Sequence, residues 1–138
     1  MKKITLVLLM ATTIFYACKK EGTERNADRL TGRWNLDSVT YISYQNGKEI
    51  ERNQYGDLDV VWEFRNDGTA TVNFEGGEEI TKWTAGSDHL MFMRSDGQQL
   101  DFRINSLSRN NLNIMFEDQA RVVEGITYKD AIEFDLKK

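Results

Sequence analysis

Several residue types are scarce in this chain. It contains no proline, one cysteine and one histidine in 138 residues. No Gly-x-Ser-x-Gly motif occurs, and no pair of cysteine and histidine residues has the spacing of metal ligands. The 18 basic residues form no cluster and stand against 22 acidic ones, so nucleic acid is not an expected partner. These absences argue against an enzyme, a metalloprotein and a nucleic-acid-binding protein.

The remaining candidates for chemistry are weak. His89 stands between a Ser-Asp pair and a predicted strand, where we expect a partly exposed turn residue and not a general base. Acidic pairs such as Asp57 with Asp59 could bind calcium weakly, but none fits an EF-hand loop, and we expect solvated turn residues. We therefore predict no catalytic residue, no bound metal and no cofactor.

The first eighteen residues have the pattern of an export signal. Two lysines precede a short apolar stretch at residues 4–16, and Ala17 precedes the only cysteine, Cys18. The stretch is shorter than the roughly 20 apolar residues that a membrane-spanning helix needs. The pattern resembles a bacterial lipoprotein signal, which implies that residues 1–17 are removed and that Cys18 carries lipid. The alternative is an ordinary cysteine near a cleavage site of the general signal peptidase.

The residues after Cys18 extend this interpretation. By analogy with lipoprotein sorting, Lys19 in place of an aspartate implies an outer-membrane lipoprotein of the cell envelope, held to the membrane through Cys18. Without its two leading lysines, the mature chain has 16 basic against 22 acidic residues. Residues 18–29 are polar and lack an apolar period, so we expect a flexible tether there. Residues 30–138 are then one domain, long enough to bury a stable core.

From Leu30 onward, apolar and polar residues alternate with the period of a β-strand. The first strand is expected to place one set of residues on one face: Leu30, Gly32, Trp34, Leu36, Ser38, Thr40, Ile42 and Tyr44. Asn46-Gly47 favours a type I′ hairpin turn, and further Gly-containing turns separate about nine short strands. No helix is predicted beyond a turn near residues 24–30. The pattern predicts an all-β, antiparallel, up-and-down meander closed into a barrel of about eight strands.

Such a barrel is just wide enough to be filled with side chains or to hold one small ligand, and the residues support both equally. The candidate ligand-binding residues are large and apolar: Tyr44, Trp62, Phe64, Trp83, Phe92 and Phe102. Trp83 has the opposite parity to Ile80, so either a bulge lies between them or one faces outward. Met91 and Met93 fall on the face opposite Phe92 and could contact a partner.

Four motifs in order resemble the lipocalin-like domains of small bacterial lipoproteins, within the wider calycin group. They are Leu30-Thr31-Gly32-Arg33-Trp34, the aromatic strand and turn at residues 62–69, the isolated Trp83, and Ile104-Asn105-Ser106-Leu107. The resemblance implies that Gly32 bends the chain into the first strand and that Trp34 closes the base of the barrel. It also implies a basic residue packed over Trp34, for which the candidates are Arg121, Lys129 and Lys137.

The resemblance implies a lipid-anchored envelope protein that binds a small hydrophobic ligand. The alternative is a non-enzymatic interaction module with a solid barrel, which docks onto another envelope protein as an inhibitor or accessory subunit.

Overall fold

A computed structural model describes residues 21–74 and 77–138. In these residues, one helix precedes ten strands. The elements are α1 (Glu21–Leu30), β1 (Gly32–Gln45), β2 (Lys48–Gly56), β3 (Val61–Phe64), β4 (Thr69–Asn73), β5 (Glu78–Ala85), β6 (His89–Met93), β7 (Gln99–Leu107), β8 (Asn111–Glu117), β9 (Arg121–Val123) and β10 (Ile126–Lys137).

Eight of the strands form a closed antiparallel barrel. β3 to β8 follow one another as a meander, and β1 closes the ring by pairing with β3 on one side and β10 on the other. The prediction of an up-and-down barrel of about eight strands is therefore confirmed. β2 and β9 lie outside the ring. β2 pairs with the C-terminal part of β1, and β9 pairs with the N-terminal part of β10.

The C-terminal part of β1 and the N-terminal part of β10 form a small sheet with β2 and β9. The strand order in this sheet is β2, β1, β10 and β9, and we call it the extension. Asn46 and Gly47 both have positive φ, at 50° and 78°, so they form the tight β1–β2 turn that the sequence predicts. β9 has only three residues and was not predicted, because so short a strand carries no readable alternation.

A bulge in β1 changes which residues face the barrel interior. The register with β10 shifts between Leu36 and Ser38, so one extra residue enters β1 there. Such a shift exchanges the two faces of a strand. Beyond Leu36 the core face carries Val39 and Tyr41, and our prediction of a single face running to Tyr44 is wrong.

The residues displaced by the bulge pack elsewhere. Ile42 is buried in a second, smaller cluster with Met115 and Ala131, against which Tyr44 packs. Tyr44 therefore does not face the main core.

Helix α1 occupies most of the segment for which we predict a tether, so that prediction is wrong from residue 21 onward. Leu30 is fully buried and Ala27 packs against the core. Asn26 Nδ2 donates hydrogen bonds to the carbonyl oxygens of Gly86 and Ser87, at 2.8 and 3.0 Å. The helix contains only two apolar residues, Ala27 and Leu30, which are too few to show a helical period in the sequence. The predicted signal, Cys18 and residues 19–20 lie outside the described residues.

Candidate functional site

One end of the barrel is closed by Trp34, as the sequence predicts. The side chain has no solvent exposure, and its Nε1 donates a hydrogen bond to the Leu30 carbonyl oxygen at 2.6 Å. Gly32, between the helix and Trp34, has φ +119°, a conformation that L side chains rarely adopt. The glycine thus lets the chain turn from α1 into β1, and the last helical turn lies over the tryptophan.

The cation over Trp34 is Lys138, and not one of the three basic residues proposed from the sequence. Its Nζ lies 4.6 Å from the Trp34 ring centroid and donates to the carbonyl oxygens of Arg29 and Thr31, at 2.8 and 3.0 Å. Burial lowers the pKa of Lys138 below its usual value. The lysine therefore joins the end of β10 to the end of α1 and seals the closed end.

The three basic residues named from the sequence have other partners. Lys137 forms an ion pair with Asp37 at 2.8 Å, and Lys129 pairs with Glu117 at 3.0 Å. Arg121 lies 3.5 Å from a carboxylate oxygen of Asp130. Each forms an ion pair at the surface and does not pack over Trp34.

Aromatic side chains fill the middle of the barrel. Neighbouring ring centroids are 5.2 to 6.0 Å apart, the separation at which offset and edge-to-face pairs stabilise a core. Four of the candidate ligand-binding residues are buried here: Trp62, Phe64, Trp83 and Phe92. They form a packed floor and do not line the pocket above it. Trp83 faces inward while Ile80 is exposed, which answers the question that their parities left open.

One donor in this floor lacks a partner. Trp83 Nε1 donates to the carbonyl oxygens of Arg65 and Thr69, at 3.2 and 3.0 Å. Trp62 Nε1 is buried, but the described residues offer it no acceptor. An unpaired buried donor destabilises the fold, so Trp62 is a place where the core is not fully satisfied.

Above this floor, the opposite end of the barrel opens into a pocket of about 350 Å³. Its apolar walls come from β7, β8 and β10 and from the residue that directly follows β4. They consist of Phe74, Leu100, Phe102, Phe116, Ile132 and Phe134, and the polar lining consists of Tyr41, Arg94, Gln98 and Asp118. Of the six residues proposed as ligand-binding, only Phe102 lines this pocket. Tyr44 lies on the outer face of β1 because of the bulge.

The polar residues of this mouth pocket differ in how their charges are compensated. Arg94 Nε lies 3.0 Å from a carboxylate oxygen of Glu79, and its Nη1 donates to Gln98 Oε1 at 2.9 Å. Asp118 is exposed and forms no ion pair with the part of the chain described. Its backbone N–H donates to the carbonyl oxygen of Asp130 at 2.9 Å. Within residues 21–74 and 77–138, the lining of the mouth therefore holds a cation, Arg94, that is paired with a carboxylate, and a carboxylate, Asp118, without an ion pair.

Sequence reasoning missed most of the pocket lining. Tyr41 points inward only because of the bulge, which no local pattern marks. Arg94 did carry a signal, since it follows Leu90 and Phe92 at spacing two and so falls on the inward face. Asp118 lies in the connection after β8, where alternation ends.

Exposed apolar residues concentrate on the extension. Of the seven large hydrophobic residues that are exposed in the described ranges, five lie there: Tyr41, Ile50, Tyr55, Val122 and Val123. The other two, Ile80 and Met93, lie on the outer face of β5 and β6, as predicted for Met93. An exposed apolar concentration of this kind is typical of an interaction surface.

His89 is exposed, as predicted, but it is the first residue of β6 and pairs with Arg103 of β7, so the prediction of a turn residue is wrong. Its Nδ1 lies 2.9 Å from Asp101 Oδ1, and this hydrogen bond raises the pKa of the imidazole. No group of three histidine, cysteine or acidic residues in the described ranges could hold a metal ion. No described helix is long and apolar enough to cross a membrane.

The fold and site together define a closed eight-stranded antiparallel barrel with a sealed base and an open mouth, which is compatible with a lipocalin-like fold. No protein-family model, curated protein or solved structure matches the chain.

Proposed function

We propose that this protein is a lipid-anchored protein of the cell envelope whose lipocalin-like barrel binds a small hydrophobic ligand. The observation that supports this most strongly is the mouth pocket, whose volume of about 350 Å³ lies in the range of small-molecule sites. Its walls are mainly apolar and aromatic, with a few polar groups at the rim. That combination buries an apolar body and orients one polar end.

The packed floor limits how deep such a ligand reaches. Because Trp62, Phe64 and Phe92 fill the barrel centre, the ligand occupies the upper part and contacts Phe102 and Phe134 at its inner end. The ligand is therefore compact, and not a long chain threaded through the barrel.

The lipid anchor gives the barrel an orientation in this proposal. Helix α1 begins three residues after Cys18, and its last turn packs on the closed end beside Trp34. Three residues span about 10 Å at most. The closed end then lies nearer the anchoring membrane, and the mouth pocket opens away from it.

Filling the pocket tests the proposal. The chain from Lys19 to Lys138 contains all the described core contacts, and cooperative thermal unfolding would verify its fold. We expect this protein to bind the neutral fluorescent probe N-phenyl-1-naphthylamine saturably at one site. Leu100→Trp should weaken binding about tenfold or more, because the larger side chain occupies the pocket.

The matched control is Ile80→Trp, which adds a tryptophan to the outer face of β5. It should bind the probe as the wild type does. Equal binding by wild type and Leu100→Trp would mean that the probe does not enter the mouth, and the proposed function would fail.

A second candidate function is an interaction module that docks onto an envelope protein as an inhibitor or accessory subunit. Four exposed apolar residues of the extension favour it, because they do not line the mouth pocket: Ile50, Tyr55, Val122 and Val123. A photoreactive amino acid at Val122 should then crosslink to one defined protein in the native host, whereas the same group at Ile80 should not. Absence of a specific product at Val122 would argue against this candidate.

A further inference from the structure

We propose that the ligand of the mouth pocket is an organic cation, an amine or quaternary ammonium group on a compact apolar body. This inference rests on the proposed function and adds the charge of the ligand. The juxtaposition that carries it is a carboxylate, Asp118, that has no ion-pair partner among the described residues and lies at the rim of a pocket with aromatic walls.

The positive charge in the lining is already compensated. Arg94 and Glu79 face each other across β5 and β6, with Nε and the carboxylate oxygen 3.0 Å apart. Their side chains are 33% and 23% exposed, so the pair is partly withdrawn from water. Gln98 accepts a further hydrogen bond from Arg94 at 2.9 Å. An anionic ligand would have to compete with Glu79 for this guanidinium group.

The negative charge in the lining has no cationic partner in the part of the chain that the structure describes. Asp118 lines the mouth pocket and also an adjoining groove that it shares with Tyr41, Ile132 and Asp130. Asp130 is held by the Ser43 hydroxyl at 2.8 Å and by Arg121 at 3.5 Å. Among the described residues, Arg94, its partner Glu79 and Asp118 together carry a formal charge of −1. Walls of low dielectric focus that charge into the pocket.

The walls favour the same class of ligand. Five aromatic rings line the pocket: Tyr41, Phe74, Phe102, Phe116 and Phe134. Aromatic faces attract cations, and desolvated ammonium groups are held by several rings together. A carboxylate gains nothing from these faces and is repelled by Asp118. The lining and its charge therefore select an ammonium group over a carboxylate on the same apolar body.

Three probes that share one apolar body test the proposal: 1-naphthylmethylamine, 1-naphthylmethanol and 1-naphthoate. Their binding to the chain from Lys19 to Lys138 would be measured by calorimetry at pH 7 and low salt. We expect the amine to bind most tightly and the carboxylate most weakly, with dissociation constants that differ by about tenfold. Raising the salt should narrow the ratio, since the rim is open to solvent.

A charge-neutral variant assigns the selectivity to one residue. Asp118→Asn should weaken binding of the amine about threefold, the usual size of a partly exposed ion pair, and leave the alcohol unchanged. Asp28→Asn removes the same charge at the closed end and should have no effect on the amine. An equal effect of both variants would overturn the assignment to Asp118, because it would reflect the overall charge of the protein.

The outcomes separate the two proposals. Binding of the carboxylate as tightly as the amine would overturn the cation proposal and leave the hydrophobic-ligand function intact. No saturable binding of any of the three probes, nor of N-phenyl-1-naphthylamine, would overturn both.

Discussion

Replacing Trp34 by alanine should remove a large part of the stability of the barrel. Emptying a large buried aromatic site costs about 3 to 5 kcal/mol of unfolding free energy. Trp34 also donates a hydrogen bond to Leu30 and lies under the Lys138 ammonium group, each contact contributing about 1 kcal/mol. We therefore expect a loss near the top of that range, about 4 to 5 kcal/mol.

Urea denaturation followed by circular dichroism measures this loss. Because small domains are stable by only about 5 to 15 kcal/mol, Trp34→Ala could be too unstable to study, and Trp34→Phe serves as a second variant. It keeps an aromatic ring but loses the N–H donor, so it should cost about 1 to 2 kcal/mol. Tyr55→Ala, on the exposed extension, should change stability by less than about 0.5 kcal/mol. A loss below about 1 kcal/mol for Trp34→Ala would refute the closed-end packing described here.

Three further predictions concern the anchor, the bulge and the single histidine. Radiolabelled palmitate should enter the wild type but not Cys18→Ala, and equal labelling would contradict lipidation. Tyr41→Ala should weaken probe binding severalfold, while Tyr44→Ala should leave it unchanged. The reverse result would mean that Tyr44 faces the pocket, and would contradict the bulge in β1. The His89 NMR titration should have a midpoint above the ordinary histidine value, and Asp101→Asn should lower it. Because that pKa is raised, the pair stabilises the fold at low pH and loses this contribution as pH rises through it.

The architecture of this protein follows from patterns that are local in sequence. Alternation and turn pairs such as Asn46-Gly47 predict the strands and their hairpins, and hairpins joined in order predict a meander. The burial of Trp34 also follows from its place near the start of the first strand. Each of these features depends on residues within a few positions of one another.

The features that local patterns miss depend on distant contacts. The bulge at the middle of β1 is visible only in its register with β10, about a hundred residues away. Lys138 reaches Trp34 because β10 ends beside the start of β1. No pattern in the residues around Lys138 marks it as a partner of Trp34. The pocket lining is assembled from β1, β7, β8, β10 and the connections after β4, β6 and β8, so Tyr41 and Asp118 could not be recognised as neighbours.

The most direct test of ligand binding is native mass spectrometry of the protein purified from its own host. We expect a species heavier than the polypeptide and its lipid by the mass of one small molecule, which collisional activation releases. The same preparation of Leu100→Trp should lack that species, and Ile80→Trp should retain it. A wild-type spectrum with no additional mass, from protein that binds none of the probes, would contradict the central claim.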